Sequence, residues 1–311
     1  MIIYTDDLQY ARYALGKRLD FRPFDADREP DRYRTLIKRL FETNPVYRAD
    51  DDTPGFWKYF FIVKKSGCSH YDLVSEGCRE NIPIPDGSLF LAGSGGSFHG
   101  FKGRPWAGLE GNIHLVTYFE PNCELEQVAV SLTVLATVSL VQTIDRIEGF
   151  NGRSAIKWIN DILINDSKIA GVLAFTQAEG NNITAAALGI GLNVEKTPQI
   201  PNSDFVSKAG SIRQFAPQSG GAEFHHILAG LILNLDKNIR LLLAGKYNEL
   251  IDQYRRRSII IGKKVAIRPD TDDIEKKILC SGRVLAIGDD LHLQIEGIPQ
   301  PVSAGRLVLI P

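Results

Sequence analysis

Signals that would narrow the function at once are scarce in this sequence. The 311-residue chain has four cysteines, Cys68, Cys78, Cys123 and Cys280, scattered without a Cys-x-x-Cys pair. That scatter argues against a disulfide framework and predicts reduced thiols. Cys68, His70 and Cys78 bring soft donors close together, but the paired spacing of a zinc site and a fourth donor are lacking, so no metal site is expected. An excess of charge is missing too: 36 Lys and Arg against 37 Asp and Glu leave a formal charge of -1. No global field then draws the chain onto nucleic acid or an anionic membrane. No apolar run approaches the roughly 20 residues that span a bilayer. Met1-Ile2-Ile3-Tyr4-Thr5-Asp6 is not a basic start followed by an apolar run, so a cytoplasmic protein without membrane or nucleic-acid partners is expected. Internal repeats and low-complexity segments are also absent.

What is present is a 44% hydrophobic chain, long enough for one large domain with small appendages. Residues 1–55 are charge-rich and read as an N-terminal extension of unknown role, with polar loops around a short helix at 33–41. Strands are predicted at 57–63 and 88–92, the second running into a Gly-rich loop at 93–103. A strand at 113–119 precedes a helix at 124–147, whose Val128, Leu132, Leu135, Val138 and Val141 recur at helical spacing. Strands at 155–159, 162–164, 168–176 and 183–192 follow, with Asn165-Asp166 as turn chemistry. Residues 221–257 read as one long helix with a leucine face and a basic end, Arg255-Arg256-Arg257; His225 and His226 on it read as packing or surface residues. Short strands at 264–268, 278–287, 291–295 and 306–310 suggest a small all-β unit.

Four local sequences stand out: Gly100-Phe101-Lys102-Gly103-Arg104-Pro105-Trp106, Lys157-Trp158-Ile159-Asn160-Asp161-Ile162, Lys168-Ile169-Ala170-Gly171-Val172-Leu173 and Gly189-Ile190-Gly191-Leu192-Asn193. In this order and spacing they resemble the biotin protein ligases, whose patterns are GRGRxGRxW, KWPNDL, KxAGIL and GxGxN. The resemblance runs from about residue 66 to the C-terminus, and nothing before it looks like the DNA-binding helix-turn-helix of repressor-type members.

The resemblance implies an α/β (α+β) fold: a mixed β-sheet flanked by helices, the class II synthetase-like biotin/lipoate ligase domain over 56–257, and a C-terminal SH3-like β-barrel over 258–311. It implies ATP and Mg2+ as cofactors and biotin as substrate. Biotin would be activated as biotinyl-AMP and transferred to a lysine of a biotin carrier protein or carboxylase domain. A homodimer is compatible with it. Adenylation brings two anions together, so fixed positive charge is needed between them; Lys168 supplies it, with Asp161 facing it across the hairpin. On the resemblance, Trp106, Asn193, Arg104, Lys102, Asn160 and Gly191 meet the nucleotide, while Ser69, Gly95, His99, Gly100, Phe101 and Gly171 meet the acid.

The Gly-rich loop departs from the pattern. Aligned without gaps from Trp106, the family's first glycine falls on Phe98, its first arginine on His99 and its second arginine on Phe101. The glutamine that reads the biotin ureido ring falls on Gly95, and the assisting Ser-Thr pair on Cys68-Ser69. Three readings stay open at this point: biotin held by a modified loop, another small acid such as lipoate, or a small-acid-binding protein without catalysis.

Overall fold

The computed structural model describes residues 1–25, 27, 33–200, 208–216, 222–269 and 278–310. The polar loop read at 25–32 and the first residue of the long C-terminal helix, Gly221, lie largely outside them.

Residues 1–55 are not loops around one helix. They form β1 (Ile2–Thr5), α1 (Leu8–Leu15), β2 (Arg22–Phe24), α2 (Arg34–Phe41) and β3 (Val46–Asp50). β4 (Tyr59–Val63), α3 (His70–Arg79), β5 (Ser88–Ala92) and β6 (Ile113–Phe119) follow. After α4 (Ser131–Asp145) come β7 (Ser154–Lys157), β8 (Asp161–Ile164), β9 (Ser167–Glu179) and β10 (Asn182–Leu192). These ten strands make one mixed sheet in the order β2-β3-β1-β4-β5-β6-β10-β9-β8-β7. β1, β4 and β5 run parallel, and the β6 to β10 half is antiparallel. The N-terminal strands escape a reading by pattern because they are short and sit at the charged edge: Arg22 pairs with Arg48, and Ile2 with Asp50.

Helices cover both faces, as a mixed sheet with two buried faces requires. Leu36, Ile37, Leu40 and Phe41 of α2 and Leu73, Val74 and Cys78 of α3 pack with Phe61, Phe90 and Val116 on one face. On the other, α1 and α4 pack with Phe60, Leu91, Leu115 and Ile190. α4 is shorter than the spacing predicts, because residues 124 and 125 are irregular and 126–130 form turns rather than helix. It is buried almost all round. Its Thr143 and Ser139 hydroxyls accept hydrogen bonds from Asn234 at 2.9 Å and Asn238 at 2.8 Å.

Those asparagines lie on α6 (Phe224–Leu243), which follows the short α5 (Ile212–Phe215). The single helix predicted over 221–257 is two: α6 ends before Gly245, whose φ of 69° leaves the helical region, and α7 (Tyr247–Arg257) restarts the pattern. Leucine periodicity cannot register such a break, since both helices bury the same kind of stripe. β11 (Lys264–Arg268), β12 (Cys280–Ile287), β13 (Leu293–Ile295) and β14 (Arg306–Leu309) form a second, antiparallel sheet in the order β13-β12-β11-β14. It is tied to the main body where Trp158 donates to the Leu291 carbonyl at 2.8 Å and Tyr247 to that of Asp289 at 2.6 Å. All four cysteines are unpaired. No helix among the described residues is long and apolar enough to cross a membrane.

Candidate active site

One row of cross-strand neighbours organises the site. Ala92 on β5 pairs with His114 on β6, which pairs with Gly191 on β10; Gly191 pairs with Gly171 on β9, Gly171 with Asp161 on β8, and Asp161 with Lys157 on β7. Directly paired residues share a sheet face, so six strands contribute to one line, on the face that α3 covers. At about 4.8 Å per strand, His114 and Asp161 stand about 14 Å apart. A cavity of about 600 Å³ opens over this row, a size suited to a small-molecule ligand.

The two glycines in the middle make room for an aromatic. A Cβ on Gly191 would lie 2.5 Å from the Trp106 indole, so the ring rests directly on the strand backbone. The Trp106 Nε1 donates to His114 Nδ1 at 3.3 Å. Lys168 Nζ lies 5.8 Å from the indole centroid, within cation–π reach.

At one end of the row charge is concentrated. Lys168 Nζ meets Asp161 Oδ1 at 2.6 Å, with both side chains about four-fifths buried, so the pair expected across the hairpin forms. Arg104 and Arg306 line the same cavity; Arg306 comes from the C-terminal sheet, a contribution no local motif reveals. Lys157 closes the row, and its pKa is held below the ordinary lysine value. Burial is the largest cause; Asp161 opposes it, while Lys168, Arg104 and Arg306 add to it. Asn160 lines the cavity and donates to the Val172 carbonyl at 2.6 Å. Asn193 also reaches the wall, yet its amide is committed internally: Nδ2 donates to the Gly210 carbonyl at 2.9 Å, and Oδ1 accepts from Asn112 at 3.3 Å. That geometry makes it a brace for the strand end rather than a free reader of a base edge.

The other end is aromatic and nearly uncharged. Ser69, which caps α3 by accepting from the Asp72 amide at 3.3 Å, lines it with His70, Tyr71, Ala92, Phe98, His114 and Leu173. Gly95 does not line the cavity: the Phe98 ring covers it, 2.5 Å from where its Cβ would stand. Lys102 is likewise off the wall, exposed at φ 58° with Nζ 5.6 Å from the Phe101 ring. Phe101 and Gly100 do reach the wall, and Phe101 is 47% exposed. His99 lines the cavity while Nε2 contacts Asp72 at 2.8 Å and Nδ1 the Gly100 carbonyl at 3.1 Å. These contacts raise its pKa, the Gly100 bond first and Asp72 second.

Two residues that motif reading did not assign to the site also line the cavity. His114 and His70 are almost wholly buried. Desolvation lowers both pKa values to about 4, so both are neutral at physiological pH. A histidine in an apolar strand or at a helix start reads as packing, and only the strand register and the cavity single these out. The Cys68, His70 and Cys78 grouping holds no metal cluster; among the described residues, Glu223, His225 and His226 are the group whose donor atoms cluster.

Comparison with known proteins fits this geometry. Residues 97–193 match the model of the biotin/lipoate A/B protein ligase family. The chain is 31% identical over 163 residues to the bifunctional ligase/repressor BirA of Bacillus subtilis, a stretch covering 51% of the chain and 48% of that protein. The match therefore spans about half the length of this relative. It is 26% identical to the biotin--[acetyl-CoA-carboxylase] ligase of Mycobacterium tuberculosis, over 81% of the chain and 89% of that protein. The biotin protein ligase of Aquifex aeolicus, solved in complex with biotin and ATP, superposes with a TM-score of 0.62 at 16% identity, covering 82% of this chain and 99% of that one. The fold is thus that of the biotin protein ligases, and residues 97–193 are similar to the biotin/lipoate A/B protein ligase family.

Proposed function

We propose that this chain is an ATP-dependent biotin protein ligase. The observation that carries the reading is the Lys168–Asp161 pair at 2.6 Å, held on the cavity wall beside Trp106. At that end Trp106, Arg104, Asn160 and Gly191 hold the nucleotide, with Asn193 bracing the wall; Ser69, His99, Gly100, Phe101 and Gly171 border the acid. A carboxylate oxygen of biotin attacks the α-phosphorus of ATP, the new C–O–P link forms and pyrophosphate leaves. Lys168 stabilises the charge that develops on the α-phosphate, more in the transition state than before it. The lysine amine of a biotin carrier domain then attacks the acyl carbonyl, an amide forms and AMP departs. Asp161 is the one carboxylate on the cavity wall among the described residues. Magnesium typically uses one or two carboxylates together with substrate phosphates, so the donor set fits an ion brought by the triphosphate, which would neutralise its charge.

The same reading divides the chain into a catalytic unit ending near residue 257 and a C-terminal SH3-like barrel at 258–311. It places the enzyme in the cytosol, where ATP and carrier domains meet. A small-acid-binding protein without catalysis is the second reading, favoured by Phe98, His99 and Phe101 in the altered loop. Incubation of the chain with biotin, ATP, magnesium and a biotin carrier domain decides between them. The ligase reading expects the carrier mass to rise by one biotinyl group; an unmodified carrier with bound biotin supports the second.

A further inference from the structure

Two histidines that the sequence offers as packing or surface residues stand together at the start of α6, away from the cavity. His225 Nε2 lies 3.4 Å from Glu223 Oε2, and His226 Nδ1 lies 3.7 Å from the same oxygen. The donor atoms of the three residues all fall within 4.8 Å of one another. The two imidazole centroids are 4.1 Å apart, with the rings tilted by 49°. Among the described residues, the polar contacts of these donor atoms are with one another, and none of the three residues lines the cavity. One of them is also fixed by packing. The His225 ring lies against Gly16, the C-cap of α1 at φ 65°, so closely that a Cβ there would stand 2.2 Å from its Cδ2. Beside it Phe224 stacks on Tyr13 of α1 at 4.8 Å. His225 is thus held where α1 meets α6, while the side chains of His226 and Glu223, 68% and 63% exposed, keep room to turn.

We propose that Glu223, His225 and His226 form a binding site for a divalent transition-metal ion of the zinc type, with water in the remaining position. The inference stands apart from the ligase reading and from the magnesium that accompanies ATP. Two imidazole nitrogens and one carboxylate oxygen are a donor set that zinc takes in an open site, at about 2.0 to 2.2 Å from each. Tetrahedral placement at that length sets donors about 3.3 Å apart, so the contacts at 3.4 and 3.7 Å close on an ion through small rotations of Glu223 and His226. Imidazole suits zinc, copper and nickel, whereas magnesium and calcium take oxygen donors. The start of a helix carries partial positive charge that opposes a cation, and the Glu223 carboxylate supplies the charge that offsets it.

The test is calorimetric titration of zinc chloride and, separately, of magnesium chloride into the full chain, free of any purification tag and of nucleotide. His226→Ala, Glu223→Gln and His292→Ala are titrated alongside, each checked by a thermal melt; all three replace exposed side chains, so folding should survive. The unmodified chain should take up one zinc ion in preference to magnesium. His226→Ala and Glu223→Gln should each weaken zinc by at least about 10-fold, since losing a ligand costs no less than losing a group that orients one. His292→Ala removes a histidine of the second sheet paired with Asp290 at 2.8 Å, and it should bind zinc as the unmodified chain does. Zinc should also raise the Tm of the unmodified chain, by mass action on the folded state, and leave that of His226→Ala unmoved. Absence of zinc binding, zinc affinity unchanged in His226→Ala and Glu223→Gln, an equal loss in His292→Ala, or magnesium held as tightly as zinc overturns the inference. Each of these results leaves the ligase reading standing, because that reading is decided by modification of the carrier.

Discussion

The two ends of one cavity have been built by different means. The charged end keeps its central pair in local sequence: Lys168 and Asp161 lie seven residues apart on one hairpin and meet at 2.6 Å. The aromatic end draws on α3, β5, β6 and the loop over 93–107, and its two buried imidazoles, His70 and His114, are kept neutral by burial. On the proposed ligase reading, the contrast teaches that activation of a carboxylate and choice of the carboxylate can vary separately: charge must sit near the phosphate whatever the acid, whereas the head-group chamber can be repacked.

Removing the cation is the hardest blow to that division. Lys168→Ala should slow single-turnover adenylate formation by about 100- to 1,000-fold, or about 3 to 4 kcal/mol of transition-state stabilisation. Biotin affinity should hardly change. A rate within about threefold of the parent would reduce Lys168–Asp161 to an ordinary ion pair.

Next in size is the indole between the two ends. Trp106→Ala should weaken ATP by about 1 to 3 kcal/mol through lost base stacking and biotin by less. Gly191→Val sharpens this, because its Cβ would stand 2.5 Å from the indole and must push it off the strand. The two variants should share a calorimetric profile, and an unaffected ATP affinity in both would assign Trp106 to packing alone.

The smallest effect concerns pH. His99, raised in pKa by the Gly100 carbonyl and by Asp72, with the Tyr71 ring against it at 6.4 Å, holds the loop to α3 in its protonated form. That contribution is complete below the unfolded histidine value of about 6.5 and fades as pH rises through the raised folded value. Acid affinity should therefore decline a few-fold from pH 6 to pH 9, and Asp72→Asn should flatten the profile. A profile equally steep in Asp72→Asn would place the titrating group elsewhere.

Much of this was legible before the fold was known, and the rest failed for identifiable reasons. The strands at 88–92 and 113–119 lie where their apolar runs end, since burial on both faces leaves a continuous pattern. The hairpin spacing of Asp161 and Lys168 gave the charged end. The row from Ala92 to Lys157 could not be read, because it depends on register across six strands whose order is not that of the sequence. Gly95 and Lys102 were expected on the wall and are not there, since gap-free matching does not see Phe98 fold over its neighbour. His70 and Arg306 reach the cavity from a helix start and from the second sheet, places that no motif spans.

Acid-dependent ATP–pyrophosphate exchange by the unmodified chain, across biotin, desthiobiotin, lipoate and octanoate, tests the two-ended cavity most directly. The account predicts exchange that requires an acid and is fastest with biotin and desthiobiotin. Exchange absent with every acid, while biotin still binds, would contradict it and leave a binding protein with the fold of a ligase.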